Sequence, residues 1–338
     1  MEILRNADLK PYNTFGIAAR AEALGRFHDL GQLRGLLGAP ELSGLSRLIL
    51  GGGSNVLFTR NWDGLVLLNE VPGLDVLRED DEHVWLRSGA GVVWHDLVLH
   101  AVANGWGGLE NLSLIPGRVG AAPMQNIGAY GVEIKDTFDH LLALRVADGE
   151  VVRFDRAACQ FGYREGFFKR AGRDQYVILH VAFRLHKHPK LNTSYGNIRQ
   201  ELEKRGIAQP TLRDVSEAVI AIRSSKLPDP KVLGNAGSFF KNPVVPAAQA
   251  EQLRTLLPDL VTYPAGDGLV KLAAGQLIEK AGWKGRRIGA AGMHKDQALV
   301  LVNHCGATGR ELYDLSTAVL EDVKQRFGVE LEREVNII

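Results

Sequence analysis

The chain has 338 residues, 45% of them hydrophobic and 23% charged, a make-up expected of a soluble globular protein with room for two or three domains. Its 40 Lys and Arg balance 39 Asp and Glu, so the one-signed field needed for broad nucleic-acid or membrane-surface binding is excluded. Two cysteines without a CxxC pair, no apolar run near the ~18 residues of a membrane span and no apolar signal segment at the start point to a cytosolic protein in a reducing compartment, expected to be a monomer.

In chain order, RLIL (47–50) reads as a short buried strand running into GGGSN, followed by strands at GLVLLN (64–69) and HVWLRSG (83–89). WHDLVLHAVANG (94–105) reads as a helix stopped by Gly105. Residues 106–132 are glycine-rich with little periodicity, and 141–154 form a hairpin turning at Asp148–Gly149. YVILHVAFRL (176–185) alternates as a half-buried strand does. Helices are expected near 197–205 and 211–223, a linker at SSKLPDPKVLG (224–234), and helices near 246–257, 270–282 and 309–327. A strand at ALVLVN (298–303) and a terminal strand REVNII complete the list. Strands and helices without strict alternation favour α+β over a doubly wound sheet.

The 38 glycines are the compositional anomaly, and they cluster. In LILGGGSNVLF (48–58), successive glycines after a strand can expose main-chain N–H groups as an anion nest, with Ser54 and Asn55 as side-chain donors. A pyrophosphate cradle and a simple tight turn are both consistent with it. IPGRVGAAPMQNIGAYG (115–131) is small-sided over a long run, as expected where backbone lies against a planar or phosphorylated ligand, and Gln125 and Asn126 suit ring heteroatoms. A third cluster, GNAGSFFKNP (234–243), sets one hydroxyl, Ser238, beside two phenylalanines, in a stretch whose glycines suit a core strand poorly.

Other patterns carry less. GAGVVW (89–94) approaches a dinucleotide fingerprint, but Trp94 stands where the third glycine belongs. His186 and His188 share a strand face without a third metal ligand. YREGFFKRAGR (163–173) mixes basic and aromatic residues and suits an anionic small molecule better than a nucleic-acid strand.

Taken together, GGGSN, IPGRVGAAPMQNIGAYGVE, CQFGYRE, SKLPDP, GNAGSFFKNP and LEREV, in this order, closely resemble the UDP-N-acetylenolpyruvoylglucosamine reductase (MurB) family, and TSYGNI around Tyr195 its longer subtype. The resemblance implies an FAD enzyme that uses NADPH to reduce the enolpyruvyl ether of a UDP-sugar. It implies an α+β fold with two FAD-binding subdomains of the vanillyl-alcohol oxidase type and a separate α+β substrate domain. The corresponding boundaries are 1–70 joined by the strand 328–338, then 71–222, then 223–327.

It also implies residue roles. Ser238 is the proton donor to the carbanionic carbon left by hydride addition, while Arg164 and Glu334 face the substrate carboxylate. FAD is held by Gly51, Gly52, Gly53, Ser54, Asn55, Val56 and Leu57 and by Pro116, Gly117, Gly120, Ala121, Ala122, Gln125, Asn126 and Gly128. Tyr195, Lys226, Asn242 and Gln297 hold the UDP portion, with Arg223 as a further candidate.

Overall fold

The computed structural model of the chain describes residues 2–338. It divides into two compact units. Among the described residues the first comprises 2–7, 21–52 and 62–225; the second comprises 8–20, 53–61 and 226–338.

The first unit holds two large sheets. In one, the order is Ile3–Asp8, Arg20–Phe27, Trp62–Asn69, Ser46–Leu50, and Trp62–Asn69 runs parallel to both of its neighbours Arg20–Phe27 and Ser46–Leu50. Its central strand is covered on both faces, which is why Leu65, Val66, Leu67 and Leu68 form an unbroken apolar run. Helix Leu30–Gly38 lays Leu33 and Leu36 into this core, and Asp29 caps it by accepting the N–H of Gln32.

The second sheet is antiparallel, in the order Val151–Asp155, Phe138–Arg145, Tyr176–His186, His83–Gly89, Leu74–Glu79. Because His83–Gly89 lies in this antiparallel sheet, GAGVVW does not open a parallel βαβ unit. Trp94 is buried at the start of helix Trp94–Ala103 and donates its indole N–H to the carbonyl of Leu112. Helices Gly196–Lys204 and Leu212–Lys226 pack through Ile198, Leu202, Val215, Val219 and Ile222.

The second unit is built on the sheet Gly234–Ser238, Val300–Asn303, Ala291–Met293, Arg287–Ile288. Helix Gly309–Phe327 buries Leu312, Leu315, Val319 and Val323; Thr308 and Glu311 close its start as a capping box. A smaller sheet contains Leu269–Leu272 between Val244–Pro246 and Thr262–Pro264. The single helix expected near 270–282 is therefore a strand followed by the short helix Ala274–Lys280, separated where Asn242 Oδ1 accepts the N–H of Ala274. Of the expected terminal strand, Asn336–Ile337 pairs, parallel to Val56–Leu57. Among the described residues no helix is long and apolar enough to cross a membrane.

Candidate active site

In the first unit the two small-sided loops meet main chain to main chain. A Cβ on Gly52 would lie 3.1 Å from the Cα of Gly117, and one on Gly51 would lie 3.4 Å from Arg118 Cβ. Gly117 accepts the N–H of Trp94, while Val119 and Gly120 donate to the carbonyls of Val92 and Ala90, so this loop is laced to residues 90–94. Gly120 is small because its Cα faces Ala90, and its N–H is already committed there.

Farther along the same loop, Asn126 is fully buried with φ 47°. Its amide donates to Glu133 Oε2 and the Gly162 carbonyl, and its Oδ1 accepts the N–H of Lys135. The carboxamide expected to reach ring heteroatoms is thus engaged inside the protein; Gln125 accepts from Lys169 Nζ at 3.2 Å. Asn126 fastens this loop to the tight turn Gly162–Glu165, whose ends exchange main-chain hydrogen bonds. Arg164 sits at the tip of that turn in the left-handed region, φ 54°, and donates through Nη2 to the carbonyl of Gly128. An arginine held in this sparsely populated conformation is strain of the kind that collects at functional sites.

Beside this turn lies a corner that the sequence reading touched only at Tyr195 and Arg223. The rings of Tyr130 and Tyr195 stand edge to face, 5.6 Å apart. Burial raises the Tyr130 phenol above its ordinary value, and the Arg223 guanidinium beside it pulls the other way. Burial lowers Arg223, whose Nε donates to the Leu114 carbonyl. Asn111 ties the corner together by donating to the carbonyls of Tyr130 and Asn192. Tyr130, one large ring within a run of small residues, was the available signal.

In the second unit, GNAGS is a strand after all, made possible by two local devices. A Cβ on Gly234 would collide with the Phe15 carbonyl, which already accepts from Asn303 Nδ2, so only glycine fits. The pairing with Val300–Asn303 then slips between Asn235 and Ser238, with Gly237 at φ 70°. Asn235, 2% exposed, holds this bulge: its Oδ1 accepts the Gly237 N–H, and its Nδ2 donates to Pro228 and Leu233. The bulge leaves Ser238 exposed, while Phe239 and Phe240 turn inward as a buried edge-to-face pair.

Residues 239–241 continue as an antiparallel partner of 332–334. Glu334 donates its N–H to Phe239, Lys241 donates to Glu332, and Phe240 faces Arg333. Glu334 therefore sits across from the residue that follows Ser238. Asn242 and Gln297 converge on the start of helix Ala274–Lys280, the first by capping Ala274 and the second with Oε1 3.6 Å from a Cβ on Gly275. Lys226 is exposed at the end of helix Leu212–Lys226. Gly53 accepts the N–H of Thr14, and the Asn55 carbonyl accepts from both the main chain and side chain of Asn336.

Comparison with known proteins decides the family. Residues 229–338 match the family model described as UDP-N-acetylenolpyruvoylglucosamine reductase, C-terminal domain, and residues 23–155 match an FAD binding domain. A UDP-N-acetylenolpyruvoylglucosamine reductase from Burkholderia vietnamiensis is 54% identical, the alignment covering 99% of this chain and 96% of that one. The chain belongs to this reductase family. A reductase of the same name from Pseudomonas aeruginosa is 53% identical over 100% of this chain and 99% of its own. Among solved structures, the MurB reductase of Thermus caldophilus superposes with a TM-score of 0.66 at 24% identity, covering 99% of this chain and 98% of that one. A 6-hydroxy-D-nicotine oxidase from Arthrobacter nicotinovorans gives 0.54 at 14% identity, covering 97% and 86%. These two likenesses speak for the fold alone, an α+β fold of mixed helix and sheet content.

The residues present fit a flavin dinucleotide. Two loops almost free of bulky side chains are pressed backbone to backbone, so main chain rather than side chain lines them, as a pyrophosphate and a flat ring system require.

Proposed function

We propose that this chain is an NADPH-dependent, FAD-containing reductase acting in the cytoplasm as a monomer. Its substrate is UDP-N-acetylenolpyruvoylglucosamine and its product UDP-N-acetylmuramate, a peptidoglycan precursor. The observation that carries the reading is the bulge at Asn235–Gly237, which sets an exposed Ser238 next to the strand segment bearing Glu334.

FAD held by the loops 51–57 and 116–128 would supply hydride chemistry toward the enolpyruvyl double bond, with NADPH as the electron source. The chain's own residues manage the charge and the proton. A serine hydroxyl is a very weak acid, so Ser238 keeps its proton at neutral pH and yields it only to a strongly basic carbon. Gly237 and Ala236 beside it let a substrate approach, and the buried Phe239 and Phe240 make the wall behind rigid. Arg164, oriented by its bond to Gly128, offers a planar fork of donors to a substrate carboxylate, where negative charge grows during the reaction. Glu334 orients the proton donor. Tyr195, Lys226, Asn242 and Gln297, with Arg223, supply cationic and neutral donors to the UDP diphosphate.

The purified protein is expected to be yellow, to bleach with NADPH, and to regain colour when the UDP-enolpyruvyl sugar is added. Ser238→Ala is expected to bleach at the normal rate and to regain colour about 10⁴-fold more slowly. Stopped-flow absorbance measures both phases, and normal recovery of colour in the variant would refute the assignment.

A further inference from the structure

We propose that Arg333 is a positioning residue for Glu334: it locks the register of the segment that carries this carboxylate by bonding to helix Gly309–Phe327. The inference rests on the reading of Ser238 and Glu334 just given.

The closing segment alternates. Val329, Leu331 and Val335 are buried at 1%, 7% and 3% exposure, and Arg333 occupies the inward slot between them. Nothing in the apolar pattern asks for a cation there. Among the described residues no carboxylate pairs with it. Its partners are neutral: Nε donates to Ser316 Oγ at 2.8 Å, Nη2 donates to Thr317 Oγ1 at 2.6 Å, and the guanidinium carbon lies 4.4 Å from the centre of the Tyr313 ring.

The proton pattern of this anchor runs one way. Both hydroxyls donate to the Tyr313 carbonyl, Ser316 at 2.6 Å and Thr317 at 3.1 Å, so toward Arg333 each oxygen can only accept. A planar fork meeting two acceptors one helical position apart fits a single register. The main chain passes that register on: Arg333 faces Phe240, and the N–H of Glu334 reaches the Phe239 carbonyl at 2.8 Å. A slip of one residue would exchange Glu334 for Val335 on the face beside Phe239.

Stability gives no reason for an arginine. A partly buried cation without a counter-ion is unfavourable, and an apolar residue of similar volume in such a slot is often neutral or stabilising. Burial accordingly holds Arg333 below the usual arginine range. Its Nε and Nη2 are engaged with the helix, on the side of the strand away from Glu334, so it acts through Glu334 and not on the substrate itself.

The test compares Arg333→Met, Arg333→Lys, Glu334→Gln and the Arg333→Met, Glu334→Gln double variant as FAD-loaded enzymes. Arg333→Met is expected to keep its melting temperature and its rate of bleaching by NADPH. Its recovery of colour with the UDP-enolpyruvyl sugar should slow by about 10²-fold, the scale of a 1 Å misplacement, and Arg333→Lys should recover part of the loss. Added to Glu334→Gln, the Arg333→Met change should cost little more, because both act through one carboxylate.

Hydrogen exchange, read by mass spectrometry in the protein without substrate, should quicken at the Glu334 amide in Arg333→Met. Because that variant removes a partly buried group, the Ser316→Ala, Thr317→Val pair, which leaves Arg333 in place and removes its acceptors together with their bonds to the Tyr313 carbonyl, should give the same one-sided slowing. Fully multiplicative losses, unchanged exchange at Glu334, or equal slowing of both half-reactions would each overturn the proposal. If Glu334→Gln recovers colour at the normal rate, the reading of Glu334 fails first and the role of Arg333 falls with it.

Discussion

Gly52 is where the two small-sided loops touch, and the contact leaves no room for a branched side chain. Gly52→Val is expected to fold, as judged by circular dichroism, yet to lose flavin at least about tenfold more readily on dialysis, a change of roughly 1.4 kcal/mol. Retention of the full yellow absorbance would show that the loop contact is irrelevant to the cofactor. That glycine belongs here is legible in the sequence, because three glycines after a strand already suggest a nest or tight turn of main chain, although the contact with Gly117 is not. Asn126 shows the opposite case. Its residue type suits a flat heterocycle, but its amide is bonded to Glu133 and Gly162, partners that only folding brings near. Ser238, Arg164 and Glu334 are legible only through the family resemblance, since no local spacing connects three residues so far apart.

The strand Gly234–Ser238 shows what composition can and cannot reveal about an element. Its glycines argue against a strand, yet they are required by the Phe15 carbonyl and by the bulge. Asn235 supplies what the glycines lack, a side chain that satisfies one N–H and two carbonyls of the surrounding turn. Asn235→Ala should leave these groups unsatisfied and destabilise the protein by about 2–3 kcal/mol, read as a lower urea midpoint at an unchanged slope. A loss below about 0.5 kcal/mol would mean that water replaces the side chain. The amphipathic helix Gly309–Phe327 was legible from its period, whereas Tyr176–His186, expected to be half-buried, is buried on both faces, with Val177 and Leu179 in one core and Ile178, Val181 and Phe183 in another. Strands Ile3–Asp8 and Leu74–Glu79 lie at sheet edges with mostly exposed residues, so no alternation announces them.

At the scale of the whole molecule, five histidines titrate in the same direction. Burial is the leading cause that holds His95, His180, His186, His294 and His304 below the ordinary value of 6.5. His95 also needs a bare Nδ1, which accepts the N–H of Leu114. As the pH falls below about 6.5, the unfolded chain binds these protons before the folded chain does, so stability present at neutral pH is lost. The urea midpoint should therefore fall steadily between about pH 7 and pH 5, and a flat profile would mean that these rings are solvated. Lowered aspartates such as Asp139 act only nearer pH 4, in the same sense.

The chain passes between its two units after residues 7, 20, 52, 61 and 225, a path that no local pattern in the sequence discloses. The glycine loop runs straight into Val56 and Leu57, which pair with Asn336 and Ile337. Asn55 and Asn336, which bond across this junction, are 281 residues apart along the chain. During translation at about 5–20 residues per second, that separation is a wait of roughly a quarter of a minute to a minute. A flavin near the ribosome meets an unfinished loop for the whole of that interval, so loading belongs to the last moments of synthesis or later.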